Sequence, residues 1–364
     1  MKGCHLRVFL FIIGAVLAFS RVPLTMAEDE LIQINLNPTG SSSPVNLTAA
    51  DGDLYFAAYL PSSLDHVLWK SNGTVAGTTV VSDEPKVSWG SVWNIPEYTE
   101  YKMHYSNGQL LFSGDTEEMG IELYRSDGTA EGTVLLKNIN ETEIFPGRGN
   151  DSQPHSFTEV NNVIYFAAND GIGASGRDGL WKTDGTGSGT VMVKDILPTW
   201  LTGNQFFLLF SGAGELWQSI GSEIGTAMVK DINPVASSYP EALITIGNTT
   251  YFTAEDIVDS RGTGRELWKT DGTTAGTVMV ADLNPDGSTD FGEFIGNNGI
   301  LYFTINDGDQ LWRSDGTAAG TRMIIETYSV GNSDIGNLAV LKNVLYFRAM
   351  NGVTWDLWKS DGTT

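Results

Sequence analysis

Four runs of carboxylates are the first residues whose types and spacing could do chemistry: Asp51/Asp53, Glu117/Glu118, Glu255/Asp256/Asp259 and Asp307/Asp309. Calcium takes roughly six to eight oxygens, often from short acidic loops that also carry glycine. None of these runs has EF-hand spacing, so weak, distributed cation binding is expected rather than a closed cage. The candidate ligands are Asp51, Asp53, Glu255, Asp256, Asp259, Asp307 and Asp309, and calcium is the one cofactor the sequence suggests. A second chemistry is stacking. Between Glu84 and Tyr105 stand Trp89, Trp93, Tyr98, Tyr101 and Tyr105. Aromatic faces at that density suit sugar rings, and equally a loop packed on itself.

Covalent catalysis has less to draw on. Beyond the first residues the histidines are His66, His104 and His155, and Cys4 is the only cysteine. No HExxH, GxSxG or phosphate-binding glycine loop is present. Five sequons fit N-glycosylation in a eukaryotic secretory host: Asn46, Asn72, Asn140, Asn150 and Asn248.

These residues are spaced by a stretch that occurs seven times, most clearly as Glu266-Leu-Trp-Lys-Thr-Asp-Gly-Thr-Thr-Ala-Gly-Thr-Val-Met-Val280. It reads as a strand, a tight polar turn and a second strand. The aromatic of each copy is Trp69, Tyr124, Trp181, Trp217, Trp268, Trp312 or Trp358. Asp127, Asp184, Asp271, Asp315 and Asp361 accept from backbone N–H groups in the turn, and the glycine that follows supplies a positive φ. Asn72 and Ile220 stand where the other copies have Asp. The motif resembles that of the ELWxxDGT-repeat proteins, a secreted, β-propeller-like group mostly without assigned activity. The resemblance covers nearly the whole chain after the leader and brings no catalytic residues with it.

Lys2 and Arg7 precede an apolar run, Val8 to Phe19, and Thr25-Met-Ala27 offers a cleavage site. Residues 1–27 therefore read as a secretory signal peptide, and the run is short for a membrane span of about 20 residues. Cleavage removes Cys4, so no disulfide is available. The net charge of −23 disfavours nucleic acid and anionic membrane and suits cations or basic partners.

The aromatics recur at intervals of 36 to 57 residues, the size of a four-stranded propeller blade. The fold expected is all-β: a seven-bladed β-propeller of four-stranded blades at about 45–83, 98–139, 155–196, 199–232, 241–283, 290–327 and 335–360. Residues 31–36 would complete the last blade and close the ring. Unit four looks short enough to have a reduced innermost strand. The function expected is a secreted, monomeric, non-enzymatic binding or extracellular-matrix protein, with a matrix protein, glycan or mineral surface as partner. A lectin-like glycan binder and a carbohydrate-active propeller enzyme are the alternatives.

Overall fold

The computed structural model describes residues 33–38, 40–61, 65–88, 102–172, 178–256, 264–285, 287–306, 308–326, 335–350 and 354–362. No helix occurs among them. The strands form consecutive antiparallel sheets, each a meander in chain order. Sheet one is Val45–Ala50, Asp53–Tyr59, His66–Ser71 and Thr78–Ser82. Sheet three is His155–Val160, Val163–Ala168, Gly179–Thr183 and Val191–Lys194. Sheet four is Pro198–Gly203, Leu208–Gly212, Glu215–Ser219 and Thr226–Lys230. Sheet five is Glu241–Ile246, Thr249–Asp256, Gly264–Thr270 and Val278–Ala281. Sheet six is Phe291–Asn297, Ile300–Ile305, Gln310–Ser314 and Arg322–Glu326. Sheet seven has three strands, Gly336–Leu341, Val344–Met350 and Trp355–Ser360. From sheet three onward the first strands of successive sheets lie against one another, a β-propeller arrangement.

Three expectations change. Sheet two begins before residue 98: Lys86–Val87 and His104–Ser106 both pair with Gln109–Thr116. The aromatic insertion thus falls inside the first strand rather than between two units. Sheet four has a full first strand, because the connection preceding it, not the strand, is what has been shortened. Residues 33–36 form no strand, and no ladder joins the seventh sheet to the first among the described residues.

The second and third strands of each sheet make the core. A Phe of the second strand sits directly opposite the motif aromatic, as in Phe252↔Trp268 and Phe303↔Trp312. The paired rings lie about 6.1 to 6.5 Å apart, offset and near-parallel in most sheets. Neighbouring side chains of a strand face opposite ways. Phe252 accordingly packs towards sheet four, while Tyr251 packs towards sheet six with Leu301 and Phe303.

The motif turn is a closed set of hydrogen bonds. In sheet two the Asp127 carboxylate accepts from Thr129 N (2.9 Å) and Thr129 Oγ1 (2.7 Å). Thr129 Oγ1 accepts from Gly132 N, and Thr133 Oγ1 donates to Thr129 O. Gly128 N donates to Ser126 Oγ. Asp184, Asp271 and Asp315 repeat the pattern. Asn72 supplies the same oxygen in sheet one. The second glycine is needed because a Cβ on Gly132, Gly189, Gly276 or Gly320 would fall on the aspartate carboxylate. The donated hydrogen bonds from threonine hold these four carboxyls below the ordinary aspartate range.

The glutamate that opens the motif, buried at Glu122 and Glu266 and half-buried at Glu215, ties one sheet to the next. Glu122 accepts from Ile139 N (2.7 Å), Asn140 N (3.2 Å) and Ser152 Oγ (2.6 Å). Glu215 accepts from Ile232 N, Ser238 N and Ser238 Oγ, and Glu266 from Leu283 N and Thr289 Oγ1. The pinned residues Ile139, Ile232 and Leu283 then pack on the following sheet. Burial outweighs the donors and pushes the Glu122 and Glu266 carboxyls up to about 7.

Three outcomes follow from this fold. In the turn, Asp271→Ala loses two exposed hydrogen bonds and should cost about 1 kcal/mol in urea denaturation. Asp271→Asn keeps the accepting oxygen, as Asn72 does, and should stay within about 0.5 kcal/mol of the parent. The buried glutamates give a pH dependence of opposite sign to that of the turn aspartates. Folding favours their protonated form, so their contribution is whole below about 4.5 and fades as pH rises to about 7. Urea midpoints should fall across that window; Glu122→Gln with Glu266→Gln should lower stability at every pH and flatten the slope.

The third outcome concerns the sequons. Asn140 is buried, with Nδ2 donating to Asp151 O and Oδ1 accepting from Thr142, and Asn46 Nδ2 is enclosed. Asn72 and Asn248 are exposed. In protein folded in a eukaryotic secretory host, peptide mass spectrometry should find glycan at Asn72 and Asn248 and none at Asn46 or Asn140.

Candidate functional site at the inner rim

Most of the first strands carry a bulge near their start, between Val45/Thr48, His155/Thr158, Thr199/Thr202, Glu241/Ile244, Phe291/Phe294 and Gly336/Ala339. Asn46, Ser156, Trp200, Ala242 and Asn337 have positive φ there. The bulge turns the strand so that its leading residues reach across the second strand to the start of the third. Side chains before and within the bulge therefore gather along one rim, at the end where the second-to-third connections also lie.

In sheet three the rim holds a hydroxyl, an imidazole and a carboxylate. His155 is buried; its Nε2 lies 3.0 Å from Asp178 Oδ2 and its Nδ1 2.9 Å from Ser156 Oγ. In sheet five an ion-paired arginine fills the same place. Arg265 meets Glu241 at 3.1 Å and Glu255 at 3.3 Å, and donates to Tyr239 O and Thr253 Oγ1. In sheet one His66 Nε2 lies 3.0 Å from Ser43 O. Three different pairings thus brace the first strand against the third at one structural position. In sheet six the place is open. Asp290, Phe291, Gly292, Glu293, Thr304, Gly308 and Ile335 line a hollow of about 220 Å³. Glu293 accepts from Asn337 N and Leu338 N at 2.8 Å each, while Asp290 is exposed. The hollow therefore pairs a fixed carboxylate with a solvated one beside apolar Phe291 and Ile335, a surface suited to a cationic group on an apolar stem.

The candidate residues named from sequence lie in several places. Asp51 and Asp53 flank the first-to-second turn of sheet one, whereas Glu255, Asp256 and Asp309 lie at the opposite, second-to-third end. Tyr105, a candidate for sugar stacking, donates to Asp51, a candidate calcium ligand, at 2.6 Å, and stacks on Tyr55. The Asp51 hydrogen bond, with burial, pushes the Tyr105 phenol up to about 12. Glu255 is ion-paired and Asp256 is buried; burial raises the Asp256 carboxyl. No group of three His, Cys, Asp or Glu side chains able to hold a metal occurs among the described residues. Trp89, Trp93, Tyr98, Tyr101, Asp259 and Asp307 lie outside them. No helix there is long and apolar enough to cross a membrane. Ser156, Asp178, Arg265, Asp290 and Glu293 were not among the sequence candidates, because each looks like an ordinary loop or strand-end residue until the bulge is known.

No protein-family model and no curated protein matches the chain. Solved structures do. A puromycin-hydrolysing peptidase from Mycobacterium tuberculosis is matched at TM-score 0.52 and 11% identity, over 89% of this chain and 52% of that one. Oligopeptidase B from Leishmania major is matched at 0.50 and 10%, over 85% and 46%. The β-propeller domain of the trilobed protease from Pyrococcus furiosus is matched at 0.44 and 11%, over 89% and 96%. The chain spans about half the length of the two larger peptidases. These findings count against the expectation of a non-enzymatic binding or matrix protein, and against its lectin and carbohydrate-active alternatives: several of the solved proteins whose fold it shares are peptidases, while another match is YCF48 from Cyanidioschyzon merolae. At such identities the likeness shows the fold alone, and the fold is of the β-propeller type.

Proposed function

We propose that the chain is the propeller part of a peptidase-type protein and that the inner rim is where it meets peptide. The observation that carries this reading is the fold likeness: nearly nine-tenths of this chain corresponds to about half of a peptidase. The rim geometry supports it. Its hollow offers Asp290 and Glu293 beside Phe291 and Ile335, and the net charge of −23 steers cationic peptides towards it. The leader at 1–27 fits a secreted protein of this kind.

The same reading takes the seven sheets as one closed ring, with residues 31–36 as the missing strand of the seventh. Leu36 supports it. It packs on Phe56, Ala58, Val67 and Trp69 of sheet one. Ile139, Ile196, Ile232 and Leu283, which follow the fourth strands of sheets two to five, pack at the corresponding place on the sheets after them. Since Leu180 pairs with Lys194, two residues before Ile196, Leu357 should pair with Ile34.

The test uses fluorescence anisotropy with a labelled Lys-rich octapeptide and an acidic one of equal length, with mass spectrometry of the mixture to score cleavage. The basic peptide should bind, weaken as salt rises, and weaken at least fivefold on Asp290→Asn. Equal binding of both peptides, or none, would overturn the reading.

A further inference from the structure

Five of the junctions between consecutive sheets share a latch built on the first glycine of the motif turn. Lys70 Nζ donates to Gly128 O (2.9 Å), Arg125 Nη1 to Gly185 O (3.2 Å) and Lys182 Nζ to Gly221 O (2.7 Å). Lys269 Nζ donates to Gly316 O (2.8 Å) and Arg313 Nη1 to Gly362 O (2.6 Å). In each case a basic side chain on the third strand of one sheet grips the turn of the next. Beneath four of these five glycines lies a ring; under Gly185 lies the Gln109 side chain. A Cβ on Gly128, Gly221, Gly316 or Gly362 would meet the phenol oxygen of Tyr55, Tyr165, Tyr251 or Tyr302. The glycines have φ between 85° and 87° except Gly272, at 91°, whose turn covers the Phe207 ring instead.

The seventh sheet carries both halves of this latch with nothing under them. Tyr346 and Lys359 stand where the latching tyrosine and base stand in sheets one, three, five and six, paired as Tyr346↔Lys359. Leu357 is 70% exposed, whereas Leu68, Leu123, Leu180, Leu216, Leu267 and Leu311 are each 0% exposed. At the other end of the series Gly73 has the same turn geometry, φ 87°, and nothing within 4 Å of a Cβ built on it. Gly73 is exposed, and among the described residues Lys359 is not bonded to it.

We infer that the turn of sheet one, Asn72-Gly73-Thr74, is the docking partner of the seventh sheet in the same chain. Lys359 grips the Gly73 carbonyl and the Tyr346 phenol fills the space beneath the glycine. The junction has the chemistry of four others, at Gly128, Gly221, Gly316 and Gly362, so no new type of contact is needed. Its apolar part covers Leu357, and its polar part offers a buried carbonyl one cation. The inference rests on the ring reading but goes beyond it, since strands could pair at the seam without the latch forming. The seam is then the one junction held by residues from the two ends of the described chain, and it is where the ring opens.

Two sets of variants separate the inference from the reading it rests on. Lys359→Met and Tyr346→Phe are compared with Arg313→Met and Tyr302→Phe, whose latches are formed in the structure. Hydrogen exchange of residues 33–38 and of the Asn72–Thr74 turn is read by mass spectrometry. Both seam variants should speed exchange at Gly73 and the 33–38 segment at least tenfold and lower Tm about as much as the controls do. Unchanged exchange and Tm in the seam variants, with the controls lowered, would sink the latch. A disulfide formed by Ile34→Cys with Leu357→Cys under the same conditions would then leave the ring standing. Concentration-dependent self-association that Lys359→Met abolishes would show that a second copy, not sheet one, occupies the face, and would also overturn the inference.

Discussion

A glycine with left-handed backbone, bonded through its carbonyl to a cation of the preceding sheet and resting on that sheet's ring, is the constraint on which the other contacts depend. Positive φ is close to free for glycine and strained for other residues. At Gly128, Gly221, Gly316 and Gly362 a side chain is excluded twice over, since a Cβ would also strike the phenol beneath. The glycine's place is fixed in turn by its own hairpin, whose aspartate, two threonines and second glycine hydrogen-bond among themselves. The recurring sequence thus repeats a socket. Each socket is completed only by residues of the neighbouring sheet.

The motif glutamate works at the other end of the same strands. It takes the N–H groups of the connecting segment, which would otherwise lie buried without partners, and so sets where the next sheet begins. At the junctions that follow sheets two and five, turn socket and glutamate together hold both ends, while the stacked aromatic pair fills the middle. Sheets one, three, six and seven lack the glutamate: Val67, Gly179, Gln310 and Asp356 stand there. Gln310 binds Glu326 and the Trp312 indole instead. Such local variation is tolerated because each sheet answers chiefly to its two neighbours, as in repeat proteins generally.

The alternation of β-branched and aromatic residues about an Asp-Gly-Thr turn made the strands and their faces legible in the sequence, and sheet five runs within a few residues of expectation. The glutamate's role was not legible, because its partners lie some 17 to 30 residues away and are mostly backbone N–H groups, which carry no side-chain signature, with one serine or threonine hydroxyl beside them. Sheet four misled through its short spacing, since a missing connection and a missing strand leave the same gap. The insertion misled because the short strands on either side of it, Lys86–Val87 and His104–Ser106, pair with one and the same strand. The rim was hidden for a related reason. Its residues are adjacent only after the bulge bends the first strand, and its chemistry differs from sheet to sheet, so no repeat announces it.

That difference is itself informative about function. Residues that recur from sheet to sheet are engaged in holding the fold; in the turn aspartates Asp127, Asp184, Asp271 and Asp315 one carboxylate oxygen takes both threonine hydrogen bonds. At the rim the equivalent position carries His155 with Asp178, Arg265 with Glu241, or an open acidic hollow at Asp290, each bracing the same two strands or leaving them unbraced. A purely structural demand would be met by one solution repeated, as it is in the turns. Where the fold permits several solutions and the chain uses several, the choice among them is free to follow a ligand. The unbraced member at sheet six, with its solvated carboxylate, leaves room for one.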